Sequence, residues 1–284
     1  MDIVFITGVS SGIGYHVMEA LIANGYHVIG SLRKEEDRDR ISKLFPNNAT
    51  LLNFDVRNVD QSVSEIKRVM PLLKEHGLSC LINNAGIAMP GPMQYLSDED
   101  FETQLDVNVK SVRRITNMLL PFLGTDTKYK PGRIINISSV SGLFNSPFNG
   151  AYCISKHALE SMNDIYRREL AMFGIKVVAI EPGPIKTSIW SKNLGGLDKY
   201  KETEYGTILS KANQMIENSE KSALDVEVIS ALIIKILSSS NPKTRYIVHR
   251  KKFIFKFLAY YLPDKWVDIL IARTLASGDN YRPV

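Results

Sequence analysis

Tyr152 and Lys156 stand four residues apart in an apolar and polar mixture that reads as helix. Side chains at that spacing lie one turn apart on one helical face, so a phenol and an ammonium can be turned toward the same site. A free phenol titrates near 10 and is a poor proton carrier at neutral pH. A nearby cation favours the phenolate, and lowering the phenol by about 3 pH units takes roughly 4 kcal/mol of differential interaction. Such a pair could exchange a proton with an alcohol or carbonyl oxygen. The same spacing also arises on ordinary helices, so it carries weight only with a third group. Ser138 and Ser139 supply one, because they close the run Ile135-Asn136-Ile137. A hydroxyl at the carboxyl end of a strand faces the crevice where α/β proteins bind ligands, and either serine could hydrogen-bond the reacting oxygen.

A second constellation lies near the N-terminus. Thr7-Gly8-Val9-Ser10-Ser11-Gly12-Ile13-Gly14 joins a short apolar run to a helical one. Glycines at such a junction allow a tight turn, a close approach of backbone to pyrophosphate, and close packing of helix on strand. Free N–H groups and the helix dipole then favour an anion at the helix start. The spacing is G-x-x-x-G-x-G rather than the commoner G-x-G-x-x-G, and a plain glycine-rich turn would use the same residues. The end of the second strand discriminates between dinucleotides: an acid there binds the adenosine ribose hydroxyls of NAD, whereas an arginine accommodates the 2′-phosphate of NADP. Leu32 holds the acid's place and Arg33 follows, so NADP(H) is expected, although Arg33 and Lys34 would also serve as a solvated surface pair. Asp55 and Val56 follow the third strand. The Asp55 carboxylate either accepts from the adenine amino group, with Val56 donating from its backbone, or caps the next helix.

These groups require a scaffold of alternating strands and helices. Strands are read at Ile3 to Thr7, His27 to Leu32, Leu51 to Phe54, Ser79 to Asn83, Arg133 to Ser138, Lys176 to Glu181 and Arg245 to His249. Helices are read at Ile13 to Asn24, Val59 to Glu75, Asp98 to Leu120 behind a Ser97/Asp98 cap, and Ala151 to Phe173. The strands are almost continuously apolar, as when both faces are buried. The alternation implies right-handed βαβ units. The expectation is a single α/β domain over residues 1–284, a doubly wound parallel sheet of about seven strands with helices on both faces. Residues 186–221 are polar and contain Gly195-Gly196, which suits a mobile segment covering the substrate. Residues 249–275 form a C-terminal extension, both apolar and basic.

Bulk composition narrows the partners. Lys and Arg exceed Asp and Glu by 5, an excess that suits an anionic cofactor. No basic run is interleaved with stacking aromatics, so nucleic acid is not expected as a partner. Cys80 and Cys153 have no metal or disulfide spacing and read as packing residues in a reducing compartment; no metal is expected. The start, Met1-Asp2-Ile3, lacks the basic and long apolar regions of a signal peptide, and no run approaches the ~20 apolar residues of a membrane span. A cytoplasmic protein is expected.

Taken together, Thr7 to Gly14, Asn83-Asn84-Ala85-Gly86, the Ser139, Tyr152 and Lys156 set and Pro182-Gly183 resemble the short-chain dehydrogenases/reductases, in that family's order and spacing over about residues 1–190. The resemblance implies a Rossmann-type sheet and selects Ser139, which lies 13 residues before Tyr152, over Ser138. It implies that Tyr152 is the proton donor in reduction and acceptor in oxidation. Lys156 would lower the phenol's pKa and hold the nicotinamide ribose, and Ser139 would position the substrate oxygen. Asn108 matches the helix residue that orders a water in the proton relay. Asn84, Ala85 and Gly86 resemble the turn flanking the cofactor. Pro182, Gly183, Ile185 and Thr187 resemble the segment that contacts the nicotinamide carboxamide. The family is usually dimeric or tetrameric, which is the expectation here.

Substrate class rests on thinner ground. Phe144 and Asn149 belong to an apolar stretch preceding the tyrosine, and Ile189, Trp190 and Leu194 follow Thr187. An apolar pocket with one polar reactive end suits a lipophilic alcohol, aldehyde or ketone. The blocks Leu32-Arg33, Pro147-Phe148-Asn149 and Pro242-Lys243-Thr244-Arg245-Tyr246 resemble the branch with 17β-hydroxysteroid and retinol dehydrogenases, which implies a steroid-, retinoid- or lipid-like carbonyl compound. A small polar or acyl carbonyl, or a non-catalytic NADP(H)-binding role, is the alternative. In the extension, Arg250-Lys251-Lys252 precedes a run of aromatics; it could rest on a bilayer interface, pack on the core, or form a dimer contact.

Overall fold

The computed structural model describes residues 1–187 and 196–275. Seven strands form one sheet: β1 (Ile3–Thr7), β2 (His27–Leu32), β3 (Ala49–Asn53), β4 (Cys80–Asn83), β5 (Arg133–Ile137), β6 (Lys176–Pro182) and β7 (Arg245–Val248). Their order is β3-β2-β1-β4-β5-β6-β7 and every pair is parallel. Direction of winding reverses between β1 and β4, and the crevice outside the carboxyl ends of those strands is where such sheets bind ligands. Thr7 and Asn83 stand at its edge.

Alternation along β1 shows how both faces are covered. Ile3 and Phe5 point into one apolar cluster and Val4 and Ile6 into the other, all with no exposed surface. On the Val4 side pack α1 (Gly12–Ala23), through Val17, Met18 and Leu21, and α8 (Glu227–Ser238), through Ile229, Ile233 and Ile236. On the Ile3 side pack α3 (Val59–His76), through Ile66 and Leu73, and α5 (Ser111–Leu119), through Ile115 and Leu119. Each such side chain contributes roughly 1.5–3 kcal/mol of burial, so the strand ends that carry the site are held from both faces.

The other helices are α2 (Glu35–Leu44), α4 (Asp98–Leu105), α6 (Gly150–Glu169), α7 (Gly206–Lys221), α9 (Lys252–Tyr260) and α10 (Asp264–Leu275). The expected helix from Asp98 to Leu120 does start on the Ser97 cap, whose hydroxyl accepts from Asp100 N at 3.1 Å. It is not uniform: between α4 and α5 a π-turn spans Asp106–Lys110. Part of the polar stretch after residue 195 is packed. Leu197, Tyr200, Leu209 and Ala212 are buried together against Phe148 and Tyr205, because α7 carries an apolar stripe. Ile189, Trp190 and Leu194 lie outside the described residues. No helix among the described residues is long and apolar enough to cross a membrane.

Candidate active site

The glycine loop is shaped for a close neighbour. Gly8 and Gly12 hold φ of +76° and +59°, the left-handed region that strains other residues. A Cβ on Gly14 would run into the Gly8 carbonyl and the Asn84 amide. Asn84 Nδ2 donates to the carbonyls of Thr7 and Gly8, each at 2.9 Å. Thr7 Oγ1 accepts from the N–H groups of Asn84 and Ala85 at 3.0 and 2.9 Å. The loop is thus clamped to the turn after β4. Ser11 opens α1 without using its side chain as a cap. Among the described residues the N–H groups of Gly12, Ile13 and Gly14 meet no acceptor, which suits phosphate oxygens. Ser10 is held by Arg40, which donates to its carbonyl at 2.9 Å. Thr187 completes the cradle, since a Cβ on Gly12 would stand 3.4 Å from the Thr187 Cβ. Pro182 ends β6, Gly183 N donates to Val248 O at 2.9 Å, and Ile185 is buried in a bridge to Leu224.

At the far end of the crevice Arg33 is exposed and makes no hydrogen bond or ion pair to a described residue. It lies near enough to Asp55 to favour that carboxylate. Burial raises the Asp55 pKa, but hydrogen bonds from the Arg57 side chain and backbone outweigh it and leave the carboxyl below its usual range. The helix-cap alternative for Asp55 is overturned: Asn58 caps α3, accepting from Gln61 N at 3.0 Å, while Asp55 takes Arg57 N at 2.8 Å. Val56 packs its side chain in the core and its carbonyl accepts from Arg114.

Ser139, just after β5, and Tyr152 and Lys156, both on α6, come together at the crevice. Ser139 accepts from Ser141 N at 3.1 Å and donates to Pro182 O at 3.5 Å; its hydroxyl lies close enough to the Tyr152 phenol to hold that group's pKa down. Ser138 Oγ is buried without a hydrogen-bond partner among the described residues, whereas Ser139 lies beside Tyr152. Lys156 is 5% exposed and donates to Ile137 O at 2.9 Å. Its Nζ stands 5.6 Å from the centre of the Tyr152 ring. Burial lowers the Lys156 pKa to about 8, with Glu160 opposing the fall. Burial also pushes the Tyr152 phenol up to about 12, the Ser139 hydrogen bond restraining it. Among the protein's own groups desolvation outweighs the hydrogen bond; the expected depression calls on the charge of Lys156 together with that of an oxidised nicotinamide.

Asn108 sits at the centre of the π-turn, 1% exposed. Its Oδ1 accepts from Ile87 N, and its Nδ2 donates to Ile87 O and to Ser155 Oγ, all at 3.0 Å. Ser155 in turn donates to Tyr152 O at 2.7 Å. Gly86 lies between, since a Cβ there would be 3.5 Å from Asn108 Oδ1 and 3.8 Å from Lys156 Nζ. An inserted residue in a helix often marks a functional site; here it brings an amide to the turn beside the lysine. Of the expected substrate residues, Phe144 meets the Phe255 ring edge-on at 6.3 Å. Asn149 precedes α6 with no capping bond from its side chain and pairs with Gly91.

Sequence reasoning missed the groups beneath Lys156. Glu160, one turn along α6, pairs with Arg245 of β7 at 3.0 Å, and Arg245 also reaches Asp164 at 2.9 Å and Glu181 at 3.3 Å. Burial and then Glu160 raise the Glu181 pKa to about 8, Arg245 opposing. Thr7, read only as the start of the glycine loop, also clamps that loop to the turn after β4. Both cysteines are buried and unpaired, and no group among the described residues could hold a metal.

The sequence profile of the short chain dehydrogenase family matches residues 2–195. The NADPH-dependent 3-dehydrocapnine reductase of Ornithobacterium rhinotracheale is 40% identical over 274 residues, 95% of this chain and 96% of that one. Retinol dehydrogenase 16 of Homo sapiens is 32% identical over 283 residues, 94% of this chain and 87% of that one. A solved short-chain dehydrogenase from Streptomyces avermitilis has a TM-score of 0.76 at 26% identity, covering 89% of this chain and 90% of that one.

Proposed function

This chain belongs to the short-chain dehydrogenase family and is an oxidoreductase, and from that premise we propose that it transfers a hydride between NADP(H) and the alcohol or carbonyl carbon of a hydrophobic substrate. The observation that carries the reading is the Lys156 amine, buried and 5.6 Å from the Tyr152 ring centre, with Ser139 beside the phenol. The cradle supports a dinucleotide, because the close approach at Gly14 and the open N–H groups of the first turn of α1 fit a pyrophosphate. When bound, the nicotinamide supplies or takes the hydride.

The chain's own part is proton handling and orientation. Ser139 holds the substrate oxygen beside Tyr152. A phenol with a pKa of about 12 keeps its proton until negative charge develops on that oxygen, so in reduction it acts as general acid. Lys156 would hold the ribose and, when charged, favour the phenolate left behind. Asn108 fixes the turn at Ile87 and the backbone of Tyr152 through Ser155. Arg33, exposed at the end of β2, takes the 2′-phosphate. The relative whose name specifies NADPH supports that choice. The apolar groups around Phe144 and Phe148, together with the retinol dehydrogenase relative, support a lipid-, retinoid- or steroid-like substrate.

The test is NADPH oxidation with 3-dehydrocapnine, retinal, a steroid ketone and a short polar ketone, by wild type and Tyr152→Phe. Turnover of a lipophilic carbonyl is expected, with kcat in the variant down by about 10²–10⁴-fold and NADPH binding retained. Turnover confined to the polar ketone would overturn the substrate class. A near-normal rate in the variant would overturn the role of the phenol.

A further inference from the structure

The C-terminal helices have a surface that the core does not explain. In α9 the residues facing inward are Phe255, Leu258 and Ala259, and Phe255 touches Phe144 and, at 4.4 Å, His249. The opposite side is also apolar. Phe253 is 78% exposed, Tyr261 69%, and Ile254, Phe257 and Tyr260 more than half. At 3.6 residues per turn these five fall within about a third of the helix circumference. In α10 Trp266, 63% exposed, and Leu270 also present apolar surface. Scattered exposed apolar residues are ordinary, but a contiguous aromatic strip marks an interaction surface.

Charge decides the partner. Residues 250–275 hold Arg250, Lys251, Lys252, Lys256, Lys265 and Arg273 against only Asp264 and Asp268. This segment therefore supplies four of the chain's five net positive charges. On the wheel of α9, Lys252 and Lys256 flank one edge of the exposed strip. A second copy of this chain would bring the same positive surface and no counter-charge for these cations. A bilayer with anionic headgroups does the opposite, taking the aromatics at the acyl boundary and the cations at the phosphate level.

We propose that α9 and α10 dock this protein onto an anionic membrane surface, with Phe253, Ile254, Phe257, Tyr261 and Trp266 entering the interface and the flanking lysines and arginines meeting the headgroups. The inward face of the same helix touches Phe144 and His249, so docking sets the rim of the candidate site against the lipid. The inference rests on the exposed strip and its charge, not on turnover, and stands or falls apart from the reading of the active site.

The test uses the full-length chain and vesicles of phosphatidylcholine with and without phosphatidylserine. Co-sedimentation should be strong with phosphatidylserine, weak without it, and reduced by salt. The chain has two tryptophans, so Trp190→Phe leaves Trp266 as sole reporter, and brominated acyl chains should quench it. Lys251→Glu, Lys252→Glu and Lys256→Glu together should weaken binding at least about tenfold; Phe253→Ser with Phe257→Ser should abolish the quenching. Circular dichroism and melting temperature check that these surface variants fold. Equal binding of the charge-reversed and wild-type chains, no vesicle binding, or a concentration-dependent dimer that Phe253→Ser dissociates would each overturn the proposal.

Discussion

Replacing Lys156 by Met should stabilise the fold at neutral pH while removing the amine from the site. Lys156 is 5% exposed, and burial takes its pKa from 10.5 to about 8. At about 1.4 kcal/mol per pH unit, that gap corresponds to about 3 kcal/mol, the cost of keeping the ammonium charged in the folded chain at pH 7. Met is of similar length and avoids the cost. It also leaves the Ile137 carbonyl without the donor it now has at 2.9 Å, a loss of about 1 kcal/mol. The net expectation is a gain of about 2 kcal/mol at pH 7. The folded pKa lies below the unfolded one, so folding releases a proton between about 8 and 10.5, and wild-type stability rises with pH over that window. Above it the amine is neutral in both states, and only the lost hydrogen bond distinguishes the two chains. The variant should therefore be about 1 kcal/mol less stable there, the curves crossing near pH ~10. Urea unfolding followed by circular dichroism across pH 7 to 11 measures this, with NADPH oxidation run in parallel. A variant weaker than wild type at pH 7, or a difference that ignores pH, would refute the reasoning.

Arg33→Ala should lower the NADPH-over-NADH ratio of kcat/KM by about 10–100-fold, the worth of charge-assisted hydrogen bonds to a phosphate; an unchanged ratio removes Arg33 from cofactor choice. Glu181→Gln tests the charge cluster beneath the lysine. The Glu181 pKa is raised from 4.5 to about 8 by burial and Glu160, so its contribution to stability is complete below 4.5 and is lost as pH rises through about 8. A neutral amide abolishes that slope, so the variant should melt on the order of 5 °C above wild type at pH 9 and show no such advantage at pH 4. Thermal melts at both values check it, and parallel pH curves for the two chains would count against a protonated Glu181.

What the sequence revealed and concealed divides along locality. The sheet was legible because each strand is a short β-branched run buried on both faces, and its ends were placed to within two residues. α8 was legible in principle, since Ile229, Ile233 and Ile236 repeat on one face, yet its apolar run was not read as an element. α2 gave no such handle, because Ile41 is its only buried residue among charged neighbours. Residue types cannot announce a π-turn either: Asp106–Lys110 takes its register from Asn108 bonding to Ile87 and Ser155, which are 21 and 47 positions away.

The same distinction governs the site. Tyr152 and Lys156 could be picked out from spacing, and Ser139 from the family resemblance, but the direction of the phenol's shift could not. It depends on how much water the fold removes around the ring, and spacing holds no information about that. Glu160, Glu181 and Arg245 were hidden for a related reason. Arg245 and Glu160 are 85 residues apart, and only the adjacency of β6, β7 and α6 puts them under the lysine. Their arrangement has a consequence for Lys156. A buried ammonium with no acid nearby would fall further toward neutrality. Glu160, one turn away, opposes that fall, and Arg245 pairs with Glu160 at 3.0 Å. With a pKa of about 8, the lysine stays largely charged at pH 7 although it is buried, the state that the proposed mechanism asks of it.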